Sequence, residues 1–226
     1  MKSMKTLALG LGLMLAAASA QALVDLSAFG GYAGVGMSDV NDILTKSASG
    51  GSAATLMNSG FYAGAQAGIT LMPFLKIGPR FEYVQSGQGK VGNYTVDANL
   101  SSYELGISSD VSLPLVGLSV EGGVWGGYGM AGTKLSNSLI TDSSTGSGSG
   151  FVANVGAQLR YKLVAGLFIG VDLGYRMANI ANVNADKTDS NYGSKAGDPF
   201  FKKTDGSQAS VDFSGLNAGG TIGWNF

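Results

Sequence analysis

The side chains best suited to chemistry are ten ionisable residues that alternate with apolar residues along the chain. They are Lys76, Arg80, Glu82, Glu104, Asp110, Glu121, Arg160, Lys162, Asp172 and Arg176. The 226 residues include no histidine and no cysteine, which excludes histidine-based triads, histidine metal sites and thiolate chemistry. A pair of carboxylates such as Glu104 and Glu121 could in principle act as a general acid and a general base.

The segments that carry these residues show period-two alternation of polar and apolar side chains, which predicts half-buried β-strands. We expect eight strands, each close to or longer than the ~9–11 residues with which a tilted strand crosses a membrane. The predicted strands are residues 24–37, 60–71, 75–85, 99–113, 117–130, 151–163, 167–180 and 211–226.

The connections between these strands alternate in length. Three are short, at 72–74, 114–116 and 164–166, and four are long and polar, at 38–59, 86–98, 131–150 and 181–210. Short periplasmic turns and long external loops are typical of bacterial outer-membrane barrels. The pattern therefore predicts an all-β protein, an eight-stranded antiparallel up-and-down transmembrane barrel with both termini on the periplasmic side.

A soluble β-sandwich or lipocalin-like barrel would show the same alternation, with its apolar face inward. The apolar face here carries almost no charge in its central part, which favours an apolar face outward to lipid and a charged face inward. Its aromatics form two expected girdles, as in membrane barrels. They are Phe61, Tyr83, Tyr103, Tyr128, Phe151 and Tyr175 near the outer end, and Tyr161, Trp224 and Phe226 near the periplasmic end. The first strand has no assigned facing, since Phe29 and Tyr32 fall on opposite faces.

Residues 1–22 have the pattern of a signal peptide, with two lysines, an apolar run and an A-x-A cleavage site ending at Ala22. An uncleaved anchor helix is the alternative, but the apolar run is shorter than the ~20 residues that span a membrane. We expect export, cleavage near Ala22 and a single barrel domain at 23–226. The formal net charge of −1 and the 13% of charged residues predict no nucleic-acid partner.

The last residues, GLNAGGTIGWNF, place Leu216, Ile222, Trp224 and Phe226 on one face of the final strand. This segment resembles the C-terminal signal that the outer-membrane assembly machinery recognises in Gram-negative barrels. With the eight-strand wiring, the chain after residue 22 resembles small outer-membrane barrels of the OmpA/OmpX type. The resemblance implies a bacterial outer-membrane location, with lipid, lipopolysaccharide and the assembly machinery as partners.

The lumen of an eight-stranded barrel is just wide enough for side chains to fill. The ten charged residues are therefore expected to form a paired network in the lumen, although a gated polar channel is an alternative. We expect no enzyme activity, cofactor or metal, and the missing histidine argues against outer-membrane phospholipases, omptin-type proteases and histidine-dependent lipid A deacylases. The leading hypothesis is a structural and interaction protein that displays four surface loops for envelope or host contacts. The alternatives are an OmpW-like transporter or narrow channel, and a histidine-free lipid-modifying enzyme.

The long loops are the expected place for binding, because loops on a rigid scaffold carry much of protein function. Residues 143–150 are low in complexity and predict a mobile segment. The loop at 181–210 contains Tyr192, Phe200 and Phe201, which either contact a surface partner or pack over the barrel mouth. Its oxygen-bearing residues lack the full EF-hand pattern, so a solvated loop is favoured over a calcium site.

Overall fold

The computed structural model describes residues 24–48, 53–72, 74–113, 117–140 and 142–226. The predicted signal peptide at 1–22 lies outside the described residues. Eight strands form the barrel: β1 Val24–Gly34, β2 Ser59–Met72, β3 Leu75–Ser86, β5 Tyr94–Leu113, β6 Leu118–Asn137, β7 Ser143–Lys162, β8 Leu167–Met177 and β12 Gly215–Asn225. The shorter elements are helix α1 Ser38–Ser47 and strands β4 Gly89–Val91, β9 Asn179–Ile180, β10 Val183–Ala185 and β11 Val211–Asp212.

The eight long strands pair in antiparallel fashion with their neighbours in chain order, and β1 pairs with β12 to close the ring. Beyond the β1–β12 ladder, the backbone N–H of Phe226 donates to the carbonyl of Val24 at 2.9 Å. Closure pairs the backbone groups that an open edge would expose to lipid. The prediction of an eight-stranded up-and-down barrel is confirmed. The end that carries both termini is called the periplasmic end below, and the opposite end the outer end.

Strand parity separates the two faces of the wall. Apolar residues at alternate positions are exposed on the outside, whereas polar and charged residues are buried inside. In β1, Phe29 is buried in the lumen and Tyr32 is 59% exposed on the outside, so these two aromatics lie on opposite faces of the strand. Tyr32 lies directly opposite Phe61, and Tyr103, Tyr128 and Phe151 are cross-strand neighbours at one height.

Three strands continue beyond this aromatic level at the outer end. Strands β5, β6 and β7 each have 20 residues, so most of the predicted loop 131–150 is a long hairpin. The prediction of a mobile segment at 143–150 is wrong, because these residues open β7. Gly146, Gly148 and Gly150 face inward with the buried Ser144, and a Cβ on Gly146 would overlap the ring of Phe200, while Thr145, Ser147 and Ser149 face outward.

Helix α1 occupies the first predicted loop. Asp39 in its first turn and Lys46 in its last turn complement the helix dipole. Val40 and Leu44, four residues apart, form its buried face. Among the residues that the structure describes, no helix is both long enough and apolar enough to span a membrane.

The outer parts of β5–β7, together with β4, β10, α1 and the segment 178–213, form a unit that we call the head. Its inward side chains pack into an apolar core above the lumen. Core members include Val40, Leu44, Met57, Val96, Leu100, Val152, Ile180, Val183, Phe201, Val211 and Phe213. The long loop, residues 181–210, is therefore attached to the barrel wall, because Phe201 is buried and Phe200 packs against the same core.

Candidate functional site

The periplasmic half of the lumen holds a cluster of opposite charges. Arg160 Nη1 lies 2.8 Å from Asp25 Oδ2 and 2.8 Å from Glu121 Oε2. Lys76 Nζ lies 2.8 Å from the same Glu121 oxygen, 3.2 Å from Asp25 and 3.7 Å from Asp110. These groups come from five strands, so the ion pairs join opposite sides of the barrel. Buried charges are tolerated when they are paired and hydrogen-bonded in this way.

Arg80 crosses the middle of the lumen between two aromatic rings. Its guanidinium carbon is 4.0 Å from the ring centre of Phe29 and 5.0 Å from that of Trp125. Its Nη2 is 2.7 Å from Glu82 Oε2. The planar cation thus combines contacts to two aromatic rings with an ion pair inside the lumen.

A third arginine joins the lumen to the head. Arg176 Nη1 is 2.7 Å from Glu82 Oε1 and donates to Asn217 Oδ1 at 3.2 Å. Its Nε donates to the backbone carbonyl of Phe213, a core residue of the head, at 2.9 Å. Glu82 therefore bridges Arg80 and Arg176, and the charged network reaches the base of the apolar core.

Two buried carboxylates are held by neutral donors. Glu104 accepts bonds from Asn154 Nδ2 at 2.9 and 2.8 Å and from Ser102 Oγ at 2.6 Å. Asp172 accepts from the Tyr62 hydroxyl at 2.6 Å and from Gln158 Nε2 at 2.9 Å. Within the described ranges neither has a cation at ion-pair distance, so amides and hydroxyls replace water around them.

The structure places nine of the ten sequence-predicted charges in the lumen; seven of them form ion pairs, while Glu104 and Asp172 are held by neutral donors. Lys162 is the exception, because it ends β7 at the periplasmic rim, where its exposed ammonium donates to Ser112 Oγ at 3.0 Å. Asp25 is the member that sequence reasoning missed, since the facing of the first strand was unassigned. Its alternation with Leu26 and Ala28 was the signal that could have placed it inward. The neutral partners also lie outside the predicted set, which held only ionisable residues; they are Tyr62, Gln66, Ser102, Asn154, Gln158 and Asn217.

Glycines make room for the aromatic rings of the lumen. A Cβ on Gly106 or Gly123 would overlap the indole of Trp125, and a Cβ on Gly64 would overlap the ring of Phe29. A Cβ on Gly223 would likewise overlap the ring of Phe168, and the centre of that ring lies 4.4 Å from the guanidinium carbon of Arg160. Each ring therefore packs against a glycine and also lies within about 5 Å of an arginine guanidinium. This layering explains part of the high glycine content.

The predicted girdle residues all face outward. Phe61, Tyr103, Tyr128, Phe151, Tyr161 and Tyr175 are exposed on the apolar face, while Tyr83 is half-buried and donates to Gln85. In the final strand, Leu216, Ile222, Trp224 and Phe226 share the outer face. The rings of Trp224 and Phe226 stack with centres 6.2 Å apart at the periplasmic end.

An ion pair and two hydrogen bonds hold the long loop against helix α1. Asp39 Oδ2 accepts hydrogen bonds from Lys203 Nζ, Ser210 N and Ser210 Oγ, each at 2.9 Å. The bond from Lys203, followed by those from Ser210, lowers the pKa of the Asp39 carboxyl. The same contact raises the pKa of Lys203. Both groups are in the head, beyond the aromatic level.

Acidic residues of the head do not form a metal centre. Within the described ranges no group of three or more acidic side chains is arranged to hold a metal ion. Asp189 instead accepts from the backbone N–H of Asn191. Asp186 accepts from the Ser147 hydroxyl on β7. These carboxylates stabilise local turns and tie the loop to the barrel wall.

Comparison with known proteins gives structural relatives only. No protein-family model and no curated protein sequence matches the chain. Ail, the attachment invasion locus protein of Yersinia pestis, aligns over 91% of this chain and 99% of its own, with 14% identity and a TM-score of 0.50. A major outer membrane protein from Thermus thermophilus aligns over 90% and 99%, with 13% identity and a TM-score of 0.50.

The outer membrane protein OprG from Pseudomonas aeruginosa aligns over 91% of this chain and 98% of its own, with 14% identity and a TM-score of 0.49. The alignments with Ail and the Thermus protein show a shared fold. Together with the closed eight-stranded ring, the apolar outer face and the polar lumen, they define the fold as an eight-stranded antiparallel β-barrel like those of these outer-membrane proteins. The resemblance predicted from the sequence is confirmed at this level.

Proposed function

We propose that the protein is a non-conducting outer-membrane scaffold that presents its head to envelope or host molecules at the cell surface. Membrane lipid and lipopolysaccharide surround the apolar outer face. One observation carries the proposal: Arg80 is packed between Phe29 and Trp125 across the lumen, with ion pairs on the periplasmic side and an apolar core on the outer side.

The closed lumen supports a structural role in preference to transport. A water-filled porin channel is built from 16–18 strands, about twice the number in this ring. Ions would have to displace paired charges and then cross the apolar core of the head. An OmpW-like transporter would instead need an apolar path through the barrel, and the buried ion pairs of Arg160 and Arg176 oppose that alternative.

The head is suited to display because its segments are held in place. Asp39 ties helix α1 to the long loop, and Gln208 Nε2 donates to the carbonyl of Val183 at 2.9 Å. The tip of the β6–β7 hairpin carries Leu139, which is 75% exposed. A pre-organised surface loses less conformational entropy on binding than mobile loops do.

The test of the proposal is conductance after refolding into planar bilayers. We expect the unmodified protein to show no stable, well-defined open level. Replacing Arg80, Arg160 and Arg176 together by serine should raise conductance, because bulk and counter-charge leave the lumen, whereas Lys195→Ser in the head should not. A steady open channel in the unmodified protein would contradict the proposal and favour the transporter. Heat-dependent gel mobility confirms that each variant is folded.

We also propose that the face formed by Leu216, Ile222, Trp224 and Phe226 is the signal for the outer-membrane assembly machinery. Its support is the exposed position of these side chains on the strand that closes the ring. Deleting 224–226 should abolish insertion in cells. Normal outer-membrane amounts of the truncated protein would contradict this role.

A further inference from the structure

The head contains an apolar cavity of about 370 Å³ at the outer mouth of the barrel. One side is helix α1, and the other is the wall formed by β4, β5 and β6. The side chains that line it are chiefly Val40, Ile43, Leu44, Val91, Leu135 and Phe201. Small-molecule sites are usually concave, mostly apolar and about 300–1,000 Å³ in volume, which is the range of this cavity.

The cavity is distinct from the lumen network. Its floor is the buried core of the head, including Leu44 and Val96. No charged side chain is among its lining residues in the described part of the chain; its polar groups are Ser47, Asn93 and Tyr94. A sugar, a phosphate or another ionic ligand would lose its hydration there without a charged partner.

Among the described residues, no apolar side chain fills the space beside helix α1. Residues 49–52, which follow the helix closely, are two serines and two glycines. Ile43, Val91 and Leu135 are only partly buried against the core, so they hold apolar surface that a ligand would cover. Removing such surface from water favours binding and opposes the entropic cost of association.

The position of the cavity indicates where its ligand comes from. Tyr94, on its rim, lies nine residues beyond the girdle residue Tyr103 along β5. At ~3.3 Å per residue and a tilt of 35–45°, that places the rim roughly 20 Å outside the aromatic level. Acyl tails that belong to the bilayer do not extend that far.

We infer that the head binds a free, uncharged apolar molecule, such as a single alkyl chain, from the external medium. The ligand lies between helix α1 and the β4–β6 wall and does not pass into the lumen. The inference goes beyond the proposed scaffold role. Conductance tests the scaffold role, and ligand capture tests the binding of an apolar molecule, so either proposal can fail without the other.

The experiment uses the whole barrel in nanodiscs of dimyristoyl phosphatidylcholine, because detergent would itself occupy an apolar cavity. A dodecane that bears a diazirine is added and photolysed, and the labelled peptides are identified by mass spectrometry. Lipid-facing strands take up label from probe dissolved in the bilayer and serve as the internal control. We expect additional labelling of helix α1 or β4 that saturates and is lost on addition of unlabelled dodecane.

Two variants locate the binding. Val91→Trp should fill the cavity, and Ile43→Glu should place a carboxylate in it, so each should reduce head labelling to background. Leu139→Trp adds the same ring as Val91→Trp at the exposed hairpin tip and should leave head labelling unchanged. Gel mobility and protease resistance of the head identify any variant that is misfolded. If one cavity variant is misfolded, the labelling of the other cavity variant tests the inference.

Three outcomes would overturn the inference. The first is an unlabelled head in the unmodified protein. The second is equal labelling in the unmodified protein and in a folded cavity variant. The third is head labelling by a phosphatidylcholine whose acyl chain bears the diazirine, which would make a bilayer lipid the ligand.

Discussion

The membrane-level lumen and the head are built from the same strands, yet their interiors are opposite in chemistry. Below the aromatic level, the inward positions of β6 and β7 carry Glu121 and Arg160. Above that level, an inward position of β6 carries Ala131, and inward positions of β7 carry Gly146 and Gly150, against which Phe200 and Ile180 pack. The eight-strand ring holds charges that face each other across a narrow lumen, while the head is an incomplete wall closed by helix α1 and the long loop.

The difference shows how each region is stabilised. A closed ring already pairs its backbone, so its interior can be polar if every charge has partners. The head lies in water on its outside and gains stability by burying apolar side chains. The lumen should therefore respond sharply to the loss of one charge, and the head to the loss of apolar volume.

The largest effect is expected for Arg160→Leu in the lumen. The substitution leaves Asp25 and Glu121 with Lys76 as their remaining cation. Removing one partner of a buried pair typically costs ~3–5 kcal/mol. Urea unfolding in lipid vesicles measures the loss, with the exposed head substitution Lys195→Leu as the control. Equal midpoints for the two variants would refute the structural importance of the lumen network.

A second substitution tests whether the head can open by itself. Leu44→Ala removes buried volume from α1, which typically costs ~2–5 kcal/mol. We expect faster proteolysis within 178–213 while the heat-dependent gel shift of the barrel is retained, because the lumen network is unchanged. Leu139→Ala, at the exposed hairpin tip, is the control. Simultaneous loss of head protection and of the gel shift would mean that the two regions unfold as one unit.

A pair of adjacent glycines tests the packing of the lumen wall. Gly123→Ala would press a methyl group into the indole of Trp125, whereas Gly122→Ala faces the outside with only one atom within 4 Å. Overpacking typically costs ~1–3 kcal/mol, and surface changes usually stay within ~0.5 kcal/mol. Unfolding midpoints should therefore fall for Gly123→Ala alone. A similar fall for both variants would contradict the packing of Trp125 on glycine.

The smallest effect concerns pH and the head. Because Lys203 and Ser210 lower the folded-state pKa of Asp39, this carboxylate stabilises the head above its unfolded pKa near 3.8. That contribution is lost as pH falls through the lower folded-state pKa. Protease resistance of 178–213 should decline in acid, and Asp39→Asn should weaken the decline. Asp42→Asn, which removes the exposed partner of Lys46, is the control and should leave the acid response intact.

Much of the barrel follows from the sequence alone. Each membrane-level strand has one face toward lipid and one toward the lumen, and this arrangement imposes the period-two pattern directly on the residues. The alternation of short and long connections then determines the strand count. The same parity put nine of the ten predicted charges into the lumen, although it did not identify their partners.

The tertiary structure decided what depends on distant partners. The glycine-rich start of β7 is a strand because it pairs with β6, and Phe200, more than 50 residues further along, packs against Gly146. Asp25 became part of the network through cations on β3 and β7, which no local pattern shows. The stacking of Arg80 has the same origin, since Arg80 meets Phe29 and Trp125 only when the ring is closed. Alternation along one strand specifies which face a side chain occupies, but closure of the barrel and docking of the loop select its neighbours.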